Sequence, residues 1–203
     1  MSVKLFASVS LAVWLLTATS TLSQSNRYVL DTNGSPLVSY EEYYIIPAMT
    51  DNGGRFTSIN RNQSCPLYVG LENTDLPQGY PVRFTPFAND YDVKVNRDLK
   101  VEFVEVSSTC VQSTEWTLGE NDTRSGRRLI VTGRDDGISS ARNYFRIEEA
   151  QNAHMYKIGW CPTEVCPICR FFCGTGGILR ENGHILFALD GSALPVLFQK
   201  RDY

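Results

Sequence analysis

Beyond residue 23 this chain sets apolar side chains at alternate positions and nowhere sustains a 3.6-residue apolar period. Leu99, Val101 and Phe103 alternate with polar neighbours, as do Val82 and Phe84, then Ile185, Phe187 and Leu189, then Val196 and Phe198. A period of two lines one face of a strand, whereas an amphipathic helix needs the longer period. The chain therefore reads as all-β. Cys65–Leu71 is a further β-prone piece, and Trp116 with Leu118 faces Leu129–Val131 across a polar turn at 119–126. Tyr144–Ile147 and Tyr156–Trp160 read as a strand pair around a turn at 148–154. The slip of the apolar set to Val104 and Val106 predicts a bulge in the strand that holds Phe103. Gly176-Gly177, Asp190-Gly191 and Pro77-Gln-Gly79 read as turns. About twelve short strands in one domain fit a barrel or a sandwich.

The first 23 residues stand apart. Met1–Lys4 is a short basic region, Leu5–Leu16 is apolar, and small residues follow through Ser23. That layout predicts a cleaved secretory signal over 1–23, too short and wrongly flanked for a membrane span. Residues 24–203 then form one domain of about 180 residues, enough for a single core. No later stretch is long and apolar enough to cross a bilayer, so a soluble, secreted monomer is expected, in the apoplast or the vacuole. The net charge of −3 becomes −4 without Lys4, which argues against a nucleic-acid surface.

Six cysteines, Cys65, Cys110, Cys161, Cys166, Cys169 and Cys173, lie in the mature region. An even count behind a secretory signal reads as disulfides, and six cysteines allow 15 pairings. Cys166-Pro-Ile-Cys169 has the spacing of a redox dithiol or half of a zinc site. An oxidising compartment and the absence of a βαβ setting favour structural bridges over both. No Gly-x-Ser-x-Gly, P-loop or His-Glu-x-x-His is present, and the only histidines, His154 and His184, sit among polar turn residues. The chain reads as no enzyme, with neither metal nor cofactor.

One stretch carries more. Val29-Leu-Asp-Thr-Asn-Gly-Ser-Pro-Leu37 joins two β-prone runs, Val29-Leu30 and Leu37–Ile46, through Asn33-Gly34, both of which tolerate positive φ. With Tyr43 and Ile45 after a five-residue spacer, it resembles the N-terminal signature of the plant Kunitz-type (soybean trypsin inhibitor) family. Ser35 departs from that pattern, where a charged or amide side chain is usual. The resemblance runs through Thr114-Glu-Trp116 to the terminal Pro195–Lys200 strand. It implies a β-trefoil: three four-stranded units around a pseudo-threefold axis. It also implies the pairs Cys65–Cys110, Cys161–Cys173 and Cys166–Cys169, the last two in the manner of the miraculin-like branch.

The function implied by the resemblance is inhibition of an endopeptidase, serine more than cysteine, by a rigid substrate-like loop. That loop maps to Pro86, Phe87, Ala88, Asn89 and Asp90. Alignment on Pro86 puts Ala88 at the S1-binding position, and alignment on Gly79 puts Asn89 there. Neither is basic, and Arg83 and Lys94 fall outside the expected position, so strong trypsin inhibition is not expected. Ala88 suits an elastase- or subtilisin-like pocket, and Phe87 a chymotrypsin-like one if the register slips. The asparagine that braces the loop in the family's trypsin inhibitors aligns with Ser39, which has shorter reach.

The alternative is a trefoil without inhibitory role, a binding or storage protein. Water-soluble chlorophyll proteins form such a branch, around Cys-Pro-Leu-Gly, where this chain has Cys65-Pro-Leu-Tyr68. Asn33-Gly-Ser, Asn62-Gln-Ser and Asn121-Asp-Thr are glycosylation sequons, the first disfavoured by Pro36 and a tight turn.

Overall fold

A computed structural model of the chain describes residues 27–74, 78–106, 110, 113–134 and 140–202. The predicted secretory segment 1–23 and Pro77 of the predicted 77–79 turn lie outside the described residues. Among the described residues there are thirteen strands: β1 Glu42–Pro47, β2 Phe56–Ile59, β3 Tyr68–Leu71, β4 Val82–Pro86, β5 Asp98–Phe103, β6 Trp116–Asn121, β7 Arg128–Thr132, β8 Phe145–Glu149, β9 Tyr156–Trp160, β10 Gly174–Thr175, β11 Gly177–Glu181, β12 His184–Ala188 and β13 Val196–Lys200.

Six of them close a ring. β9 pairs β13, β13 pairs β1, and the ladder runs on through β4, β5 and β8 back to β9, antiparallel throughout. Closure removes the free sheet edges that invite aggregation. The hairpins β2–β3, β6–β7 and β11–β12 sit on this barrel, and their inner strands β3, β7 and β12 pair with one another. In chain order the pattern strand, hairpin, strand occurs three times. This is the β-trefoil.

The predicted alternation is what fills it. Val82, Phe84, Leu99, Val101 and Phe103 are all buried, with Arg83 and Lys100 partly exposed between them. Trp116 joins cap to barrel, stacked on Phe56 at 5.7 Å and within 5.3–6.1 Å of Phe103, Phe187 and Phe145. Each such ring, fully buried, contributes on the order of 2–3 kcal/mol before entropy is charged against it.

Several local expectations change. The run Leu37–Ile46 is not one strand: Tyr40 takes a left-handed φ of 75° and β1 begins at Glu42. Val104 and Val106 form no bulge in β5; Val104 N–H still bonds Pro81 C=O at 2.8 Å, and Glu105, with φ 61°, then turns the chain away. β6 and β8 run on to Asn121 and Glu149, past the predicted turn starts, and β3 starts only at Tyr68. Gly176-Gly177 is no turn, because a Cβ at Gly176 would enter the Phe187 ring and Gly177 opens β11. The turn there is Asn182-Gly183, with φ values of 49° and 79°, which joins β11 to β12 as a two-residue hairpin. His184 accordingly begins a strand opposite Glu181.

Candidate functional site

Asp31, Asn33 and Gly34 recur in the opening signature for a local reason. Asp31 Oδ1 accepts the N–H groups of Asn33 and Ser35, both at 2.9 Å, and Gly34 supplies φ 80°. The turn lets Leu37 N–H bond Val29 C=O at 2.8 Å. The folded-back segment then lies along residues 92–95: Val29 N–H donates to Val93 C=O, and Val93 N–H to Leu37 C=O, at 2.9 and 2.8 Å. Two buried phenols hold it to the barrel, since the Tyr43 and Tyr156 hydroxyls accept the N–H groups of Val38 and Leu30 at 3.0 and 2.9 Å. Burial pushes both phenols above their ordinary range, so they stay neutral.

This segment braces the predicted loop. The left-handed turn at Tyr40 sends its ring outward, 78% exposed, and leaves Ser39 buried. Ser39 N–H bonds Tyr91 C=O at 2.7 Å, and its hydroxyl donates to the Tyr91 and Asp90 carbonyls at 3.0 and 3.3 Å. Lys94 Nζ holds the Asp90 carboxylate at 2.9 Å.

Pro86 is buried as the last residue of β4, paired with Leu99. Phe87, Ala88 and Asn89 project from the surface, and the Phe87 ring stands edge-on to Tyr144 at 5.4 Å. The chain turns back at the tip: Asn89 N–H bonds Pro86 C=O at 3.1 Å, and Asn89 has φ 54°. Ala88 and Asn89 are therefore presented on a tight turn, not on an extended run.

The cysteines are joined as Cys65–Cys110, Cys161–Cys173 and Cys166–Cys169. With both thiols of Cys166-Pro-Ile-Cys169 in one disulfide, that pair offers no thiolate to a metal. Asn33, Asn62 and Asn121 are all exposed. Tyr68 opens β3 with the Arg61 guanidinium 5.3 Å from its ring, beside a groove of about 920 Å³ that Asn121 also lines. Sequence reasoning missed Asp98, a fully buried carboxylate that holds the 161–173 segment to the barrel. Its period-two neighbours mark Asp98 only as the start of a strand, and no spacing in the sequence points from it to Glu164.

The family model described as trypsin and protease inhibitor, of the legume Kunitz type, matches residues 29–200. The chain is similar to Kunitz type trypsin inhibitor 104 of Medicago truncatula, with 56% identity over 191 residues and 93% of each chain covered. It is similar to the solved rice (Oryza sativa) bifunctional alpha-amylase/subtilisin inhibitor, with a TM-score of 0.69 and 31% identity over 86% of this chain and 99% of that one. It is similar also to the Kunitz-type cysteine protease inhibitor of potato, with a TM-score of 0.73 and 29% identity over 88% and 99%.

Proposed function

The chain belongs to the legume Kunitz family of trypsin and protease inhibitors, and from that premise we propose that it is a secreted inhibitor of a serine endopeptidase, acting through the 86–91 loop. The observation that carries this reading is the Ser39 brace, whose three hydrogen bonds to the Asp90 and Tyr91 carbonyls hold the loop from behind while its tip faces solvent. A loop ordered before binding loses less conformational entropy in the complex, which favours tight and slowly released occupancy of a cleft. The serine class is supported by the relatives named for trypsin and for subtilisin.

Ala88 or Asn89 enters the S1 pocket. Both are small and uncharged, which suits a subtilisin- or elastase-like pocket and not the acidic pocket of trypsin. Entry in an extended pose requires Asn89 N–H to leave the Pro86 carbonyl, at a cost of about 1 kcal/mol, the net value of one such hydrogen bond.

The test is a set of inhibition constants against subtilisin, elastase, chymotrypsin, trypsin and papain, for the oxidised wild-type protein and for Ala88→Asp and Asn89→Asp. Subtilisin or elastase should be inhibited, and an acidic side chain in the pocket should weaken that inhibition by at least about tenfold, or 1.4 kcal/mol. Unchanged constants in both variants remove the loop from the mechanism.

A further inference from the structure

Every lysine and arginine among the described residues except Arg170 has a carboxylate or other oxygen partner. Arg170 is exposed and has none among them. In sequence it sits between Ile168 and Phe172, which are 93% and 81% exposed. An exposed arginine flanked by exposed large apolar side chains has the composition that protein–protein interfaces favour.

The frame beneath it is rigid. Cys166–Cys169 and Cys161–Cys173 cross-link the segment twice. On one side the Glu164 and Val165 amides bond the buried Asp98 carboxylate at 2.7 and 3.2 Å. On the other, Arg128 donates to Phe172 C=O at 2.6 Å while its guanidinium forks onto Asp190 at 2.6 and 2.7 Å. Phe171 turns inward against Trp160 at 5.2 Å, which leaves its neighbours Arg170 and Phe172 outward, as on a strand.

From Cys169 to Cys173 the chain runs without turn or bend. The N–H groups of Arg170 and Phe171 make no backbone hydrogen bond among the described residues. The tip at 86–89, by contrast, folds back on itself. An endopeptidase reads its substrate as an added extended strand, and the unbonded amides of Arg170 and Phe171 leave this stretch open to such pairing.

We propose that Cys169–Phe172 is a second protease-binding loop, directed at trypsin-like serine endopeptidases, with Arg170 in the acidic S1 pocket and Arg170–Phe171 as the scissile bond. Hydrolysis of that bond places the water's hydroxyl on the Arg170 carbonyl carbon and its proton on the Phe171 nitrogen. The new ends stay joined through Cys161–Cys173, since the Arg170 side runs back along the chain to Cys161 and the Phe171 side ends at Cys173. A nicked molecule therefore keeps both halves of the loop in the cleft, one water heavier.

The proposal rests on the protease-inhibitor reading but not on the 86–91 loop, and the experiment separates the two. Bovine trypsin and subtilisin are titrated with the oxidised full chain, with Arg170→Ala, Arg170→Lys, and the Ala88→Asp and Asn89→Asp variants. Arg170→Ala should weaken trypsin inhibition roughly 100-fold and leave subtilisin inhibition unchanged. Arg170→Lys should stay within about tenfold of wild type, because an acidic pocket accepts both cations. Arg170 has no partner among the described residues, so a loss in Arg170→Ala is not expected to come from loss of fold, and equal melting temperatures check this. A wild-type protein that does not inhibit trypsin overturns the proposal, as does trypsin inhibition that survives Arg170→Ala or disappears in the loop 86–91 variants. If in these cases the wild-type protein still inhibits subtilisin and Ala88→Asp or Asn89→Asp weakens that inhibition, the first loop stands and only the second falls.

Discussion

Asp98 and Glu164, 66 positions apart, hold each other by reciprocal hydrogen bonds: Asp98 N–H donates to Glu164 Oε2 at 2.8 Å, and Glu164 N–H to Asp98 Oδ2 at 2.7 Å. Asp98 Oδ1 meanwhile accepts from Arg146 at 2.6 Å, with the carboxylate side chain fully buried. One carboxylate thus ties the start of β5 to β8 and to the cross-linked segment. Asp98→Ala leaves the Glu164 and Val165 amides without this acceptor and strips Arg146 of its buried carboxylate, with only Thr163 Oγ1 remaining on its Nη2. Removing one partner of a buried pair costs about 3–5 kcal/mol. Urea denaturation should place Asp98→Ala that far below wild type, and a loss under 1 kcal/mol contradicts this account.

Ser39→Ala tests the first loop separately. The hydroxyl bonds to the Asp90 and Tyr91 carbonyls disappear, while the Ser39 N–H bond to Tyr91 C=O remains. Stability should fall by about 1 kcal/mol. Subtilisin inhibition should weaken roughly fivefold, since a loosened loop loses more freedom on binding. Trypsin inhibition, assigned to the other loop, should not move.

The acid limb of stability should contain Asp122. Its carboxylate accepts the Ser125 N–H and hydroxyl at 2.8 and 2.7 Å and pairs with Arg61 at 2.9 Å. These bonds, those of Ser125 first, lower its pKa from 3.8 to about 2. A carboxylate whose folded pKa is depressed adds stability that is complete above pH 3.8 and lost as the pH falls toward 2. The displacement is worth about 2 kcal/mol, with little solvent screening because only 11% of the side chain is exposed. The stability gap between wild type and Asp122→Asn should therefore be constant above pH 5 and close between pH 4 and 2. A gap that persists at pH 2 assigns the effect to packing.

The fold was legible where its signals are local. Alternation named the buried faces of β4, β5, β12 and β13, because side-chain direction in a strand depends on position alone. Asn33-Gly34 marked a turn for the same reason. Asn182-Gly183 carries the identical signal, but Ile178-Leu179 before it lacks alternation and marks no strand beside it. The closure of the barrel, with Tyr43 opposite Lys200 and Ile147 opposite Ile158 in one ring, depends on pairings that no short window contains. The exposed tip at 87–89 was legible as a position, but its backward turn was not, since Ala-Asn-Asp is compatible with both shapes. The 161–173 cluster read only as a staple. The signal available there is Arg170, a lone cation beside a half-cystine, and its significance appears only once every other cation among the described residues is seen to be paired.

Gly176 gives a test of the core that the sequence read as a turn. Its N–H bonds Ile158 C=O at 2.8 Å and its C=O accepts Leu194 N–H at 3.0 Å, so the backbone is held on both sides. A methyl group added there points into the Phe187 ring. That ring cannot swing away, because it packs edge-on to Phe56 at 5.1 Å and against Trp116 at 5.9 Å. Gly176→Ala should therefore cost about 1–3 kcal/mol by overpacking. Phe187→Leu alone should also destabilise, by opening space under Trp116. In the double variant the new methyl occupies part of that space, so the two losses should sum to more than the measured total by at least about 0.5 kcal/mol. Strict additivity in urea melts means that the glycine and the ring do not share the volume this packing assigns to them.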